Sequence, residues 1–383
     1  MKKIRKIILL FFSIIFLFSG CNTTKDEIKN RLIVQAIGVD AIENGVRVTL
    51  QTLNNEMTGN PNSGANLGDI IYSITVEGDS ISGAISNAAK RLGKKPLLSQ
   101  NRMVVFGKET AQKGLYPYLD YFVRSSQNRA TVLVAVSNTT AEDLVSTKMG
   151  ESILPANSLE EILEANSFHL QIAKQQLYQF VNRLENPNIQ AFLPIINTEK
   201  KEGEEGEFVF DSVGVFQNDK LKYIFKNDQI STLLFLNNQI QGGTFSFQNP
   251  QFQTKSTAQI IKSKTKLKST IHENQISFKI IVRLTIRLIE NESATPYILN
   301  DIFLQSGKAE CEDFIESMLQ KNVEESIVHL EVDPFTIGHM LSLQHPFFYK
   351  KNHKDWFSLL QNADFSYDVQ AEISNIGLGT ENF

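Results

Sequence analysis

One segment in the C-terminal part of the chain constrains the fold more than any other. Ile276, Phe278, Ile280, Val282, Leu284, Ile286 and Leu288 occupy every even position, mostly with polar or charged residues between them. A period of two over seven apolar positions specifies a long strand with one face buried. Slipping its register by one residue would turn the whole apolar set to water. The segment 255–271, rich in Lys and Thr, is its expected hairpin partner. Lys279, Arg283 and Arg287 share the other face with Ile281, so that face meets solvent or a partner.

Elements of both kinds surround this strand. Leu32–Val39 and Val46–Leu53 flank Asn44-Gly45, a strong hairpin signal. Ile71–Val76 alternates and leads into Asp79-Ser80, which precede a helical stripe at Ile81, Ala84, Ile85, Ala88 and Leu92, with Gly93 as its stop. Beyond it the pattern predicts a strand at Met103–Phe106, a helix over Glu109–Val123, a strand at Thr131–Val136 and a helix from Thr140. Ser158 and Glu161 form a capping box for a helix through Leu163, and Ile172 to Leu184 stripe another. An apolar run, Ile189–Ile196, closes this region. Residues 198–207 are charged and hold nothing to bury, which makes them the expected boundary. A hairpin follows, Phe208–Phe216 and Leu221–Phe225 turned by Asn218-Asp219, then a short helix through Leu233–Leu236 and a stretch rich in Gly and Gln at 241–253. The chain ends with a helix from about Ala309 to Leu330, stopped by Pro334, and an alternating strand at Phe365–Ile373.

These elements imply an α+β, multi-domain protein with mixed and antiparallel sheets and helices packed against them, tethered by an N-terminal lipid anchor. The expected division is a signal peptide (1–20), a tether (21–30), an N-terminal α/β-type domain (31–198), a charged linker (199–207) and a C-terminal α+β domain (208–383) with a subdivision near 250.

The anchor is read from the first residues. Lys2, Lys3, Arg5 and Lys6 precede a twelve-residue apolar run, Ile7–Phe18, then Ser19, Gly20 and Cys21. Such a run reaches about 18 Å as a helix, short of a bilayer core of roughly 30 Å. Export is the better reading. Leu17-Phe18-Ser19-Gly20-Cys21 resembles a bacterial lipobox, departing from it at Phe18. The resemblance implies cleavage between Gly20 and Cys21 and a diacylglyceryl group, with an N-acyl chain such as palmitate, on Cys21. Two chains anchor stably where one is marginal. The alternative is an ordinary secretory leader with a chance cysteine.

Charge and chemistry narrow the function. The chain carries 38 Lys and Arg against 42 Asp and Glu. Without the four leader cations its body is more acidic still, a poor match for nucleic acid. No Gly-rich phosphate loop, nucleophile elbow, HExxH or CxxC is present. His329, His339, His345 and His353 gather near Glu331 and Asp333 with spacings that fit no standard ligand set. Cys311, beside Glu310, Glu312 and Asp313 in the first turn of the expected helix, reads as an inert thiol. Metal, cofactor and catalytic residues are all expected to be absent. Asn101 and Arg102, ahead of the Met103 strand, are candidate partner contacts, with a solvated strand end as the plainer reading.

Several blocks together resemble the Ger(x)C family, the lipoprotein C subunits of bacterial spore nutrient germinant receptors. They are the Cys21 lipobox, Ala36-Ile37-Gly38-Val39-Asp40, Arg102 to Glu109 with Ala111–Gly114, and Pro155–Leu163. Val213-Gly214-Val215-Phe216 and the final order of long strand, long helix and terminal strand with Gly377 complete the set. The resemblance spans nearly the whole length. It implies a non-enzymatic subunit of three smaller α+β pieces on the outer face of the spore inner membrane, working with multi-pass A and B subunits. A substrate-binding lipoprotein of an ABC-type importer is the alternative, and an anchored hydrolase a third reading for which no triad can be assembled.

Overall fold

The computed structural model describes residues 30–53, 71–147, 155–164, 170, 172–199, 207–249, 254–273, 275–292, 301–352 and 354–375. The leader with Gly20 and Cys21, most of the charged linker, His353 and Gly377 lie outside them.

The first part of the chain builds a nine-stranded mixed sheet. Its strands are β1 (Arg31–Ile42), β2 (Gly45–Leu53), β3 (Ile71–Gly78), β4 (Lys95–Leu97), β5 (Met103–Phe106), β6 (Leu133–Ser137), β7 (Phe192–Glu199), β8 (Glu207–Gln217) and β9 (Lys220–Lys226). The order is β3-β2-β1-β5-β6-β7-β8-β9, with β4 pairing β1 off this path. The middle, β1-β5-β6-β7, is parallel. Antiparallel hairpins close both sides. Parallel strands covered on both faces read as unbroken apolar runs. That is why Met103–Phe106 is buried at every position: Val104 and Phe106 enter one core while Met103 and Val105 enter another.

Helices supply the two covers. On one face lie α1 (Ile81–Leu92), α2 (Lys108–Lys113), α3 (Tyr116–Arg124) and, further along the chain, α6 (Leu177–Glu185). The other face is covered by α4 (Ala141–Ser146) and α5 (Pro155–Glu164). Three helix expectations need correction. The helix over 109–123 is broken into α2 and α3 at Gly114, whose φ of 125° no L-residue adopts easily. Helix α5 starts at Pro155, so Ser158 lies inside it rather than capping it. The stripe from Ile172 becomes helical only at Leu177, because Gln176 first pairs in extended form with Leu133.

The expected boundary at 199–207 falls inside this sheet, since β7 and β8 on its two sides are antiparallel neighbours. The second sheet begins later. It has four strands in the order β10 (Thr244–Asn249), β11 (Thr254–His272), β12 (Gln275–Glu292) and β13 (Asp364–Asn375). The predicted long hairpin is present over its full length as β11 and β12. Strand β13 runs parallel to β12, as a crossover through helices requires. Strand β10 sits within the Gly and Gln stretch that gave no sequence signal.

Helix α7 (Asp228–Leu236) and the long α8 (Asp301–Glu324) pack on the buried face of this sheet. Helix α8 starts eight residues before the predicted Ala309 and gives way at Glu325–His329 to a wider π turn. Cys311 therefore lies well inside α8 rather than in its first turn. It is buried, and burial first, then Glu312, pushes its thiol up to about 12. Three short helices follow, α9 (Ile337–Gln344), α10 (Pro346–Asn352) and α11 (Trp356–Gln361). The largest apolar cluster joins the second sheet to the first, from Ile276, Phe278 and Ile280 through Leu233 and Phe235 to Phe192, Val213 and Phe225.

The early motif Gly38-Val39-Asp40 has a structural explanation. The Asp40 carboxylate accepts from the backbone N–H of Ala141 (2.8 Å) and of Glu142 (2.9 Å), capping α4 from a strand a hundred residues away. Burial nevertheless raises its pKa. At Gly38 an added Cβ would press on Ala141, and at Gly107 it would lie 2.0 Å from Asp40 Oδ1. Gly107→Ala is thus expected to cost about 2 kcal/mol by displacing the Asp40 cap. In a urea double-mutant cycle it should add little to Asp40→Ala. Full additivity would show that the two residues act separately.

Candidate functional site

Buried and half-buried polar groups concentrate where the first sheet meets the helices of the second. On the first side stands Arg183, in the last turn of α6, with the following Asn186, Asn188 and Gln190. On the second stand Asn237 after α7, Asp333 ahead of α9, His339 within α9 and Tyr349 in α10. Helix α6 forms because Leu177, Phe180 and Leu184 fall on one face, with Gln176 and Gln179 completing a capping box. The same helical geometry carries Arg183 inward. Its guanidinium sits 4.5 Å from the centre of the Phe192 ring and donates through Nη2 to Asn237 Oδ1. Burial lowers its pKa to about 10, with Asp333 acting in the opposite direction.

Asp333 is fully buried. Its Oδ1 accepts from the N–H of Phe335 (3.1 Å) and Ile337 (3.2 Å), and its Oδ2 from that of Gly338 (2.7 Å). One carboxylate thereby gathers the orphan donors at the start of α9. It also holds Thr336 at a φ of 66°, a conformation that a β-branched residue adopts only under constraint. Burial pushes the Asp333 carboxyl up to about 6, against the three backbone donors and the Arg183 charge, which pull it down.

Further bonds cross the same seam. Gln190 Oε1 accepts from Asp333 N (2.7 Å) while Gln190 N donates to the Asp333 carbonyl (3.3 Å). Within the second side, Asn237 Nδ2 donates to the Pro334 carbonyl (3.0 Å). Tyr349 donates its hydroxyl to Asn188 Oδ1. His339 Nδ1 and Asn186 Nδ2 are 3.3 Å apart, and burial, helped by Arg183, lowers the His339 pKa. Gly338 leaves room for the Trp356 ring, which an added Cβ would meet at 2.2 Å. Hydrogen bonds this directional fix the angle between two units more closely than apolar packing does.

Of the residues singled out in the sequence, Asp333 and His339 fall in this seam, whereas the candidate partner contacts lie elsewhere. Asn101 is 3% exposed, and its Oδ1 faces the Met103 N–H at 3.3 Å, so it presents no surface to a partner. Arg102 reaches Gln35 Oε1 (3.3 Å) and Glu160 and so ties α5 to the first sheet. Asn101 is interior because β5 is a central strand, whereas the Arg102 side chain stays partly exposed beside Glu160. His345, which ends α9, bonds the Ser269 carbonyl of β11 (3.0 Å). Among the described residues, no group of three His, Cys, Asp or Glu is placed to share a metal ion. No helix of the described residues is long and apolar enough to cross a membrane.

Two family descriptions match the chain in series. Residues 24–198 match the spore germination protein N-terminal domain, and residues 211–377 the spore germination B3/GerAC-like C-terminal domain. The chain belongs to the Ger(x)C family. Among its relatives, spore germination protein B3 of Bacillus subtilis is 22% identical over 98% of this chain and 99% of its own length. The putative spore germination protein YfkR of the same organism is 25% identical over 77% of each. The crystal structure of the GerBC protein shares the fold, with a TM-score of 0.59 at 18% identity over 88% of this chain and 97% of that one.

Family membership gives the buried seam its meaning. Arg183, Asn186, Asn188 and Gln190 belong to the N-terminal family region, whereas Asn237, Asp333, His339 and Tyr349 belong to the C-terminal one. Sequence reading missed all of them as a group. Arg183 looks like one polar residue of an amphipathic helix. The available signal was Asp333-Pro334, an Asp-Pro pair that starts turns and here reads only as a helix stop.

Proposed function

We propose that this protein is the lipid-anchored C subunit of a spore nutrient germinant receptor, a non-enzymatic scaffold needed for receptor assembly and germination signalling. The observation that carries the reading is the succession of both spore germination regions along one chain, 24–198 then 211–377. The buried seam between them supports it, since it makes the two regions one body able to present a fixed surface. In this reading Gly20-Cys21 is the cleavage site and Cys21 carries the diacylglyceryl and N-acyl lipid. The body then stands on the outer face of the spore inner membrane. The multi-pass A and B subunits are its partners, and tethering in the plane raises their effective concentration.

Cross-linking of the tagged, lipidated protein in spore membranes, followed by detergent solubilisation and identification of what travels with it, tests the assembly. Multi-pass partners without an ATPase are expected. An ATP-driven permease would overturn the proposal in favour of an importer's binding protein. The anchor has its own test: Cys21→Ala should move the protein from the membrane to the soluble fraction of a cell lysate. Retention of the variant on membranes would refute lipidation at Cys21 as the tether.

A further inference from the structure

The outer face of the second sheet is strongly cationic. Its inner face carries the even-numbered apolar residues of β12, and the pleat turns the odd-numbered ones outward. On β11 the outward residues include Lys262, Lys264, Lys266 and Lys268, a row that spans about 20 Å. On β12 they include Lys279, Arg283 and Arg287. The register sets like charges directly opposite each other, Lys264 against Arg283 and Lys268 against Lys279. Such pairs repel and destabilise a ladder. On the neighbouring β13, Asp368 answers two of these cations, Lys279 at 3.2 Å and Arg283 at 3.1 Å. Among the described residues no carboxylate lies within ion-pair distance of the four β11 lysines.

Lysines often guard a sheet edge against unwanted pairing. Strand β10 pairs only with Thr254–Gln259, so the lysine stretch of β11 runs past its end, but the free edge there is closed by side chains. Asn238 bonds both the N–H (2.7 Å) and the carbonyl (2.9 Å) of Thr265, and Gln344 bonds the Ser269 N–H (2.7 Å) and the Leu267 carbonyl (2.8 Å). The cations thus occupy the flat of the sheet, where they do not protect its edge. The face also has a hollow of about 360 Å³ lined by Lys262, Lys264, Arg283, Thr285 and Glu372, reached from the β13 side by Lys308 of α8, which pairs with Glu312 at 3.9 Å. Arg283 and Lys308 already face Asp368 and Glu312, which leaves Lys262 and Lys264 in a concave site that suits a phosphate-bearing group.

We infer that this face lies against an anionic bilayer surface, with lipid phosphates as its ligands and the hollow around Lys264 and Arg283 taking a headgroup. Charge complementarity selects that occupant. The body is acidic overall, so a cationic face this concentrated orients it in a field of the opposite sign. A row of long, flexible lysines spread over a flat surface fits the dispersed phosphates of a bilayer better than one fixed docking partner. The inference rests on the membrane location proposed above and adds the orientation of the body on it.

The test uses the full lipidated chain, reconstituted in phosphatidylcholine vesicles with or without phosphatidylglycerol and carrying a headgroup-attached quencher. A fluorophore is placed at Thr285→Cys on the cationic face or at Asp313→Cys on the exposed side of α8. Buried Cys311, with its raised pKa, will not take the label. Flotation reports attachment, and quenching reports which face meets lipid. Several-fold stronger quenching at 285 than at 313 is expected with phosphatidylglycerol. It should be lost without that lipid, at ~1 M salt where the screening length falls to about 3 Å, and in the paired variant Lys264→Glu with Lys268→Glu. Equal quenching at both positions, or quenching at 285 that ignores lipid charge, overturns the inference. So does protection at 285 that appears only when an acidic protein partner is added. A chain that fails to float overturns the membrane location itself, and the orientation with it.

Discussion

Asp333→Ala is expected to destabilise the protein by about 5 kcal/mol. Three buried N–H groups, of Phe335, Ile337 and Gly338, lose their acceptor, at about 1–3 kcal/mol each. Arg183 also loses the opposing charge that partly offsets its burial. These terms overlap, so the total falls below their sum. Urea unfolding measures it, and a loss under about 2 kcal/mol would show that water or a neighbouring group replaces the carboxylate. The conservative Asp333→Asn keeps one acceptor oxygen and should cost less. It also carries a pH signature. Because the folded pKa of Asp333 lies near 6, above its ordinary 3.8, the folded chain binds this proton more tightly than the unfolded one. The resulting stability is complete below about pH 3.8 and is lost as pH rises through about 6. Relative to Asp333→Asn, the wild-type protein should therefore lose roughly 3 kcal/mol across that window, at 1.36 kcal/mol for each pKa unit. A flat difference would place the proton elsewhere.

What the sequence showed and hid divides along a physical line. Periodic burial was legible. The β11–β12 hairpin, the stripe of α1 and the unbroken runs of β5 and β6 each follow from a local repeat that survives in the fold. The family resemblance was legible for a similar reason, since it lay in the order of such blocks. Features that depend on distant partners were not. Asp40 and Gly107 stand almost seventy residues apart and make sense only once Ala141 arrives between them. Arg183 and Asp333 are separated by most of the second sheet. Asn101 looked like part of a solvated strand end, yet it is buried, while Arg102 beside it stays partly exposed and reaches Glu160. A polar residue signals its exposure poorly in sequence, because a buried one that is fully bonded has the same composition.

Phe278→Ala is expected to cost about 4 kcal/mol, in the range for a large aromatic removed from a packed core. Phe278 is 1% exposed, stacks on Phe365 at 5.3 Å and stands in the middle of the cluster that joins the two sheets. The more informative result is the shape of its unfolding curve. The same cluster holds Phe192, Val213 and Phe225 of the first sheet, so a cavity at Phe278 weakens packing on both sides of the seam. Fluorescence of Trp356, the one tryptophan in the chain, follows the second sheet's helices, whereas far-ultraviolet dichroism follows the whole molecule. The two probes should coincide in the wild-type protein and shift together in the variant. If the fluorescence transition moves alone, the two sheets unfold independently and the seam does not couple them. A joint shift would mean that the Ger(x)C regions form one cooperative unit, so that force or binding at one region reaches the other without a hinge between them.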